Sequence, residues 1–349
     1  MKRVLITTGK SVSLKSVCRT IGAVLQRHGI QPILEHVFRL DHIRSGFVDG
    51  VLFDYPADMI YANEYAGYYI LIKPMLGDKC LWYTTVEGKP DPFLARKPLW
   101  QHIEFIANSQ FTASMLTQAG LKVAAVVPHG VDKGLLERAN ALVPAVRKRI
   151  ENQFPDKVVF GVVSDDNIRK NMDGLVQAVQ ILNSKGRKDF VVLIMTKTSN
   201  PEKFSVPNIY VVDYKFERSQ EEAVAMMGAC DWTIYPSQCE GFGLPVLESM
   251  AMGTPVVHCF FPPLTEFSEP NGNIVFPYEF VEEVESKGGM IFTLHRYRPD
   301  ALAEAMEEAI DIAIDKKEEM EERSARVKEK AKEYDADKVY KYFVDIYLK

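Results

Sequence analysis

An α/β fold in two domains, each a parallel sheet covered by helices, is predicted for this sequence by three observations. Short β-branched runs alternate repeatedly with segments of helical period, as happens where crossover helices join parallel strands. The runs fall into two series, parted by the charged stretch Arg147-Lys148-Arg149-Ile150-Glu151-Asn152 and Pro155, which sets a boundary near residues 140–155. The chain has 349 residues, more than one hydrophobic core usually organises.

The first series opens on residues 4–7, an apolar run that reaches Gly9 as a first strand would. Further strands are expected at 32–36, 51–54, 80–83, 104–107 and 123–127. Between the first two, residues 14–27 read as a helix, because Val17, Ile21, Val24 and Leu25 share one face and Gly29 supplies a stop. The second series comprises 158–163, 190–195, 209–212, 232–235 and 255–258. A helix should then start at Pro299 and Asp300 and pack on the second domain, with Leu302, Met306, Ala309, Ile310 and Ala313 at helical spacing. Residues 316–332 are almost entirely charged, and the pairs Glu319 to Arg323 and Glu322 to Arg326 support a solvated surface helix. After them Val339, Tyr340, Tyr342, Phe343, Ile346 and Tyr347 form an apolar segment that must dock somewhere.

Composition narrows the function classes. With 47% hydrophobic and 26% charged residues, the chain has the make-up of an ordered globular protein. A net charge of -5 and a pI near 5.9 argue against nucleic acid as a partner. The five cysteines, Cys18, Cys80, Cys230, Cys239 and Cys259, are odd in number and form no CxxC pair. They suggest neither a disulfide framework nor a zinc site and suit a reducing cytoplasm. The run after Met1-Lys2-Arg3 is too short for a signal peptide, and no stretch approaches the roughly 20 apolar residues of a membrane span. Membrane contact is therefore expected only as a peripheral one, at the inner face.

Chemistry concentrates in Ser237-Gln238-Cys239-Glu240-Gly241-Phe242-Gly243-Leu244-Pro245, which runs on through Glu248 to Met250-Ala251-Met252-Gly253-Thr254-Pro255-Val256-Val257. Strand, glycine loop, helix and strand make one βαβ unit. Gly241 and Gly243 admit close approach of a ligand, Pro245 suits a first helical turn, and the free N–H groups there favour an anion. Glu240 matches a capping-box acid with Ser237, but two glycines and a proline in the next five residues argue against a helical position, which favours a functional role. Glu248, taken alone, reads as a first-turn acid suited to the helix dipole. Two carboxylates flanking a phosphate-suited loop are nevertheless well disposed to accept hydrogen bonds from hydroxyls on either side of a diphosphate.

This stretch closely resembles the EGFGLP...E signature of retaining glycosyltransferases of the glycogen-synthase-like family four, which have the GT-B fold; Glu240 and Glu248 match both acids of the E-x7-E pattern. Gly161-Val162-Val163-Ser164-Asp165-Asp166-Asn167-Ile168-Arg169-Lys170-Asn171 looks like the first strand and basic loop of the family's nucleotide domain. Taken alone, Arg169 and Lys170 read as a solvated pair; the resemblance makes them the cations that neutralise a departing diphosphate. In the first half, Ile106-Ala107-Asn108-Ser109-Gln110-Phe111-Thr112 and Val127-Pro128-His129-Gly130-Val131-Asp132 resemble end-of-domain segments, with His129 as a buttress of the interdomain turn or a ligand contact.

The resemblance implies two Rossmann-like domains facing across a cleft, over 1–145 and 146–325, with a C-terminal helix in 326–349 crossing back to the first domain. It implies a retaining hexosyltransferase using a UDP- or GDP-linked nucleotide sugar and a glycan, lipid or small-molecule acceptor. The donor would meet Gly9, Arg169, Lys170, Glu240, Gly241, Phe242, Gly243, Leu244 and Glu248. No cofactor and no metal are expected, in agreement with scattered histidines that form no HExxH pair. A nucleotide-sugar-binding protein without transferase activity, or an epimerase on a similar fold, is the other reading.

Three departures from the family pattern stand out. Thr85-Val86-Glu87-Gly88-Lys89-Pro90 follows a strand end, where cleft residues gather. Many relatives carry a histidine in this region; here Glu87 is either the catalytic-site counterpart or a turn acid. Gly9-Lys10-Ser11 imitates a P-loop but has Val4 where its first glycine belongs, so only Gly9 carries over. Cys259-Phe260-Phe261-Pro262-Pro263-Leu264 replaces a small glycine-containing loop, as a lid or partner surface. Tyr61, Tyr65, Tyr68 and Tyr69 read as packing residues or as a stacking face for an acceptor sugar.

Overall fold

The structure, a computed structural model, describes residues 1–9, 11–35, 40–57, 62–285 and 291–349. Lys10, His36 and Tyr61 lie outside the described residues. The strands are β1 (Arg3–Thr8), β2 (Gln31–Glu35), β3 (Gly50–Asp54), β4 (Cys80–Thr84), β5 (Gly88–Lys89), β6 (Glu104–Ala107), β7 (Lys122–Val126), β8 (Val158–Val163), β9 (Phe190–Met195), β10 (Ile209–Asp213), β11 (Trp232–Tyr235), β12 (Val256–Cys259), β13 (Ile274–Phe276), β14 (Phe280–Glu285) and β15 (Ile291–Arg296).

Two six-stranded sheets, all parallel, carry the fold: β2-β1-β3-β4-β6-β7 and β10-β9-β8-β11-β12-β13. Strands β3, β4, β9 and β11 are buried along their whole length, which explains why they read as unbroken apolar runs with no polar alternation. In each sheet the strand order reverses once, at β1/β3 and at β8/β11, and the crevice outside those strand ends is where open α/β sheets take ligands.

The sequence places the eleven expected strands to within a residue or two. Ser11 caps the helix Val12–Arg27 by accepting from the Leu14 N–H, and Gly29 follows at φ +77° as its stop. Helix Lys133–Gln153 runs from one sheet towards the other; Leu135 and Ala139 pack with Val224, Ala225 and Met227 of the second sheet's helices. Helix Pro299–Asp315 buries Leu302, Met306, Ala309 and Ile310 in the second core. Helix Lys317–Ala331 presents its charged faces to solvent but buries Val327 and Ala331 against the same core. The chain then crosses: Val131 N–H donates to the Tyr334 carbonyl and Ala336 N–H to the Val131 carbonyl. Beyond that point Ala336, Tyr340, Phe343, Val344 and Tyr347 complete the core of the first domain.

A hairpin not anticipated from the sequence, β14–β15, leaves the second domain and adds β5 of the first as a third, antiparallel strand. A second bridge is made by Glu266, whose two carboxylate oxygens accept from the Gln110 and Phe111 N–H groups, capping helix Gln110–Gln118 from across the cleft. Phe261 is fully buried and stacks on His295 with centroids 4.6 Å apart, so it is a core residue and the lid or partner-surface expectation fails for it. Tyr69 is likewise buried, whereas Tyr65 stacks on Tyr55 at 3.7 Å. No described helix is long and apolar enough to cross a membrane.

Candidate active site

Two loops meet at the β8/β11 switch point. After β8 the chain makes the turn Ile168–Lys170, and Asn171 at φ +48° redirects it into helix Met172–Ser184. After β11 it runs through Pro236 to Gly243 and enters helix Leu244–Met252. The Arg169 carbonyl accepts from the Gln238 N–H at 2.8 Å and from Ser237 Oγ at 3.4 Å, so the loops are fixed to one another before any side chain is considered.

Glu240 is the centre of the cluster. Lys170 Nζ lies 2.5 Å from Glu240 Oε1, Arg169 Nη1 3.3 Å from Oε2, and the Ser237 hydroxyl donates to the same carboxylate. Glu240 and Lys170 are 6% and 8% exposed, which excludes the solvated-pair reading of Arg169 and Lys170. Lys170 also reaches the Tyr235 hydroxyl at 3.1 Å. Burial would push the Glu240 carboxyl up, but Lys170 and Arg169 outweigh it and hold the carboxyl below its ordinary range. Burial, joined by the Arg169 charge, lowers the Lys170 ammonium. For Arg169 burial also disfavours the charge, yet Glu87 and Glu240 prevail and raise it.

Glu87 enters from the first domain, its carboxylate 2.8 Å from Arg169 Nη2. Its backbone is gripped by the second domain: the Glu87 carbonyl accepts from the Thr293 N–H at 3.3 Å and from the Cys239 thiol at 2.5 Å. Burial raises its pKa against the pull of Arg169.

The glycine loop does interdomain work. A Cβ on Gly241 would stand 2.1 Å from Thr85 Oγ1, and the Gly241 carbonyl accepts from Asn108 Nδ2 at 3.1 Å. Asn108 in turn meets His129 Nε2 at 3.2 Å, and His129 Nδ1 meets the Tyr83 hydroxyl at 2.8 Å. Burial pushes the His129 imidazole down to about 3, so it is a neutral buttress. Phe242 stacks on Phe267 at 4.8 Å and is 5% exposed. Gly243 is the N-cap at φ +104°, no side chain caps that helix, Pro245 has no N–H, and Val246 donates to the Gly243 carbonyl at 3.0 Å, so the Gly243 and Leu244 N–H groups are the ones placed for an anion. Glu240 stays outside the helix, and no side chain caps Gly243, so the capping-box reading of Ser237 and Glu240 does not apply.

Glu248 heads a second polar cluster beyond the loop. It lies in the second turn of helix Leu244–Met252, so the first-turn reading does not hold. Gln220 Nε2 donates to Glu248 Oε1 at 2.8 Å and to Ser16 Oγ at 2.6 Å, joining the two domains across the cleft. Burial raises the Glu248 carboxyl to about 7.

A family profile described as Glycosyl transferases group 1 matches residues 146–334. Uncharacterized glycosyltransferase 335 of Sulfolobus islandicus rod-shaped virus 1 is 33% identical over 351 residues, covering 99% of this chain and 100% of the relative. The chain belongs to the glycosyl transferases group 1 family. The MMP alpha-(1->4)-mannosyltransferase of Mycolicibacterium hassiacum is 27% identical over 42% of this chain and 34% of its own. Among solved structures, Anabaena Alr3699/HepE in complex with UDP and glucose superposes with a TM-score of 0.68 at 14% identity, covering 99% of both chains. Sucrose-phosphate synthase from Thermosynechococcus elongatus does so at 0.72 and 13%, over 100% of this chain and 98% of that one. These neighbours carry the same fold, GT-B, with two Rossmann-like domains facing across a cleft.

Within this glycosyltransferase, Arg169, Lys170, Glu240 and Glu87 form one contact cluster, and Gly241, Phe242, Gly243 and Leu244 join it to the cluster of Glu248. Gly9 stands at the end of β1, at the first sheet's own switch point. Sequence reasoning missed Tyr235, Gln220 and Ser16. Tyr235 ends a strand and reads as apolar, and Gln220 and Ser16 gain their role only because the domains meet.

Proposed function

We propose that this glycosyltransferase binds a UDP- or GDP-linked sugar in the cleft and transfers a hexosyl group to an acceptor hydroxyl with retention of anomeric configuration. The observation that carries the reading is the buried cluster of Arg169, Lys170 and Glu240 at the β8/β11 switch point, beside an uncapped helix start. In it the two cations and the N–H groups of Gly243 and Leu244 face the diphosphate, Glu240 accepts from hydroxyls of the transferred sugar, and Glu248 accepts from the ribose. That solved neighbours of the same fold are complexes with UDP and UDP-glucose supports the donor class.

In the reaction the bond from the anomeric carbon to the diphosphate oxygen breaks and one to the acceptor oxygen forms on the same face. The acceptor proton leaves with the diphosphate, whose growing charge Arg169 and Lys170 neutralise. Glu87 takes the catalytic-site position that the motif after β4 provides, Gly9 borders the donor from the first domain, and the acceptor enters from that side. The reaction needs no metal and no cofactor. We further read the division of the chain as 1–145, 146–325 and 326–349.

Incubating the enzyme with labelled UDP- and GDP-sugars, a glycan and lipid extract and excess EDTA should give a labelled product whose anomeric proton coupling matches the donor's. An inverted product, or activity abolished by EDTA and restored by manganese, would overturn the mechanism. A changed nucleotide sugar without an acceptor would point to an epimerase.

A further inference from the structure

The cations of the cluster are already neutralised. Arg169 and Lys170 bring two positive charges and Glu87 and Glu240 two negative ones, linked by the ion pairs Arg169–Glu87, Arg169–Glu240 and Lys170–Glu240, and Asp165 stands close enough to add to the Glu87 field. A diphosphate entering this arrangement would meet a site with no net positive charge, and would face two carboxylates along with its two cations.

The two acids are held differently. Glu240 is 6% exposed at its side chain and shared among Lys170, Arg169 and Ser237. The Glu87 side chain is 21% exposed. Its backbone is pinned by Thr293, Cys239 and the pairing of β5 with β15, so the Glu87–Arg169 ion pair can be exchanged without moving the chain beneath it. A Cβ on Gly88 would stand 2.0 Å from the Ile291 carbonyl oxygen, which marks how closely this segment is seated.

We propose that Glu87 sets the affinity of the donor site by competing with the donor diphosphate for Arg169. The unliganded site keeps Arg169 paired with Glu87; the diphosphate takes that guanidinium over, and Glu87 gives up its ion pair while staying beside the donor. Arg169 thus never stands buried without a counter-charge, a state that costs far more than either pairing. This assignment rests on the reading of Arg169 and Lys170 as the diphosphate-binding pair.

The test is calorimetric titration of UDP and of GDP into the full-length wild type, Lys170→Ala, Glu87→Gln and Glu87→Asp. Glu87→Gln keeps the shape and removes the competing charge, so it should tighten the nucleoside diphosphate that the wild type binds about tenfold. Glu87→Asp withdraws the carboxylate by one methylene and should tighten it less. Unchanged or weaker binding in Glu87→Gln, with Lys170→Ala still losing the ligand, overturns the competition and leaves the donor reading intact. Failure of wild type and Glu87→Gln alike to bind either nucleotide sinks both. Should Glu87→Gln not fold, the sign of the change in Glu87→Asp decides alone.

Discussion

Glu240 and Glu248 are eight residues apart and have opposite electrostatic surroundings. Lys170 and Arg169 hold the Glu240 carboxyl down, whereas burial raises Glu248 to about 7 with only Gln220 working against it. The division of labour proposed for them gives distinct outcomes. Glu248→Gln should weaken free nucleoside diphosphate and whole donor alike, while Glu240→Gln should spare the former and damage donor binding or turnover. A lost charge-assisted bond is worth roughly 1.5 to 3 kcal/mol. Titration of both variants with both ligands decides it; equal losses for nucleoside diphosphate would end the distinction.

Glu248 also makes stability depend on pH. Its folded pKa exceeds that of the unfolded chain, so its contribution is complete at acid pH and is lost as pH rises through about 7. Burial raises Asp54 to about 7 as well, so urea unfolding at pH 5 and pH 8 should show a loss in both proteins that is larger in the wild type than in Glu248→Gln, with about 3 kcal/mol as the ceiling of the difference. Lys170 belongs to the same scale. Because it is buried and paired, Lys170→Ala should cost turnover of about 100-fold or more, and stability of about 3 kcal/mol as well, by leaving Glu240 short of a partner. Normal turnover in that variant would remove Lys170 from the mechanism. The sequence motif identified both acids and both cations, but not that the lysine is interior, since an Arg-Lys pair on a loop reads as solvated until its neighbours are known.

At the level of elements, the parallel strands were legible because each carries a short apolar run, buried throughout in β3, β4, β9 and β11. The β14–β15 hairpin was not. Phe-Val-Glu-Glu-Val-Glu is exposed along nearly all its length, and β5 has only two residues, so neither carries a burial pattern. Yet this sheet seats Glu87. Gly88→Ala should break the β5–β15 pairing, because the new Cβ would lie 2.0 Å from the Ile291 carbonyl oxygen and 2.7 Å from the Thr293 nitrogen, both backbone atoms. The two large sheets lie elsewhere and should survive. Hydrogen exchange is expected to accelerate at Lys89 and at residues 291–293 while β8 and β11 stay protected, with kcat reduced. Unaltered exchange in the hairpin would mean that the segment adapts.

Across the whole molecule, the two-sheet plan could be read from strand spacing, but the contacts between domains could not. Gly241, read as a ligand-approach glycine, also packs on Thr85, and Glu266, which carries no motif, caps a helix of the other domain. Such roles follow from a docking geometry that local pattern does not encode. The docking of the aromatic segment after residue 335 was foreseen as a necessity, its place only through the family resemblance. Tyr347 lies where Gly50 leaves room, since a Cβ there would stand 2.6 Å from the ring, and Phe343 meets Tyr83 edge-on at 5.3 Å.

That crossing has a consequence for biogenesis. Synthesis runs from the first residue onward, so β1 to β7 emerge from the ribosome long before Tyr340, Phe343 and Tyr347, which finish the core around Val4, Ile6 and Tyr83. The domain translated second closes its own buried core with Val327 and Ala331 and draws nothing buried from the segment beyond them. A released chain truncated after residue 335 should therefore yield a protease-resistant fragment from the second domain and a first domain open to cleavage. Equal resistance of both would show that residues 336–349 seal a core already formed.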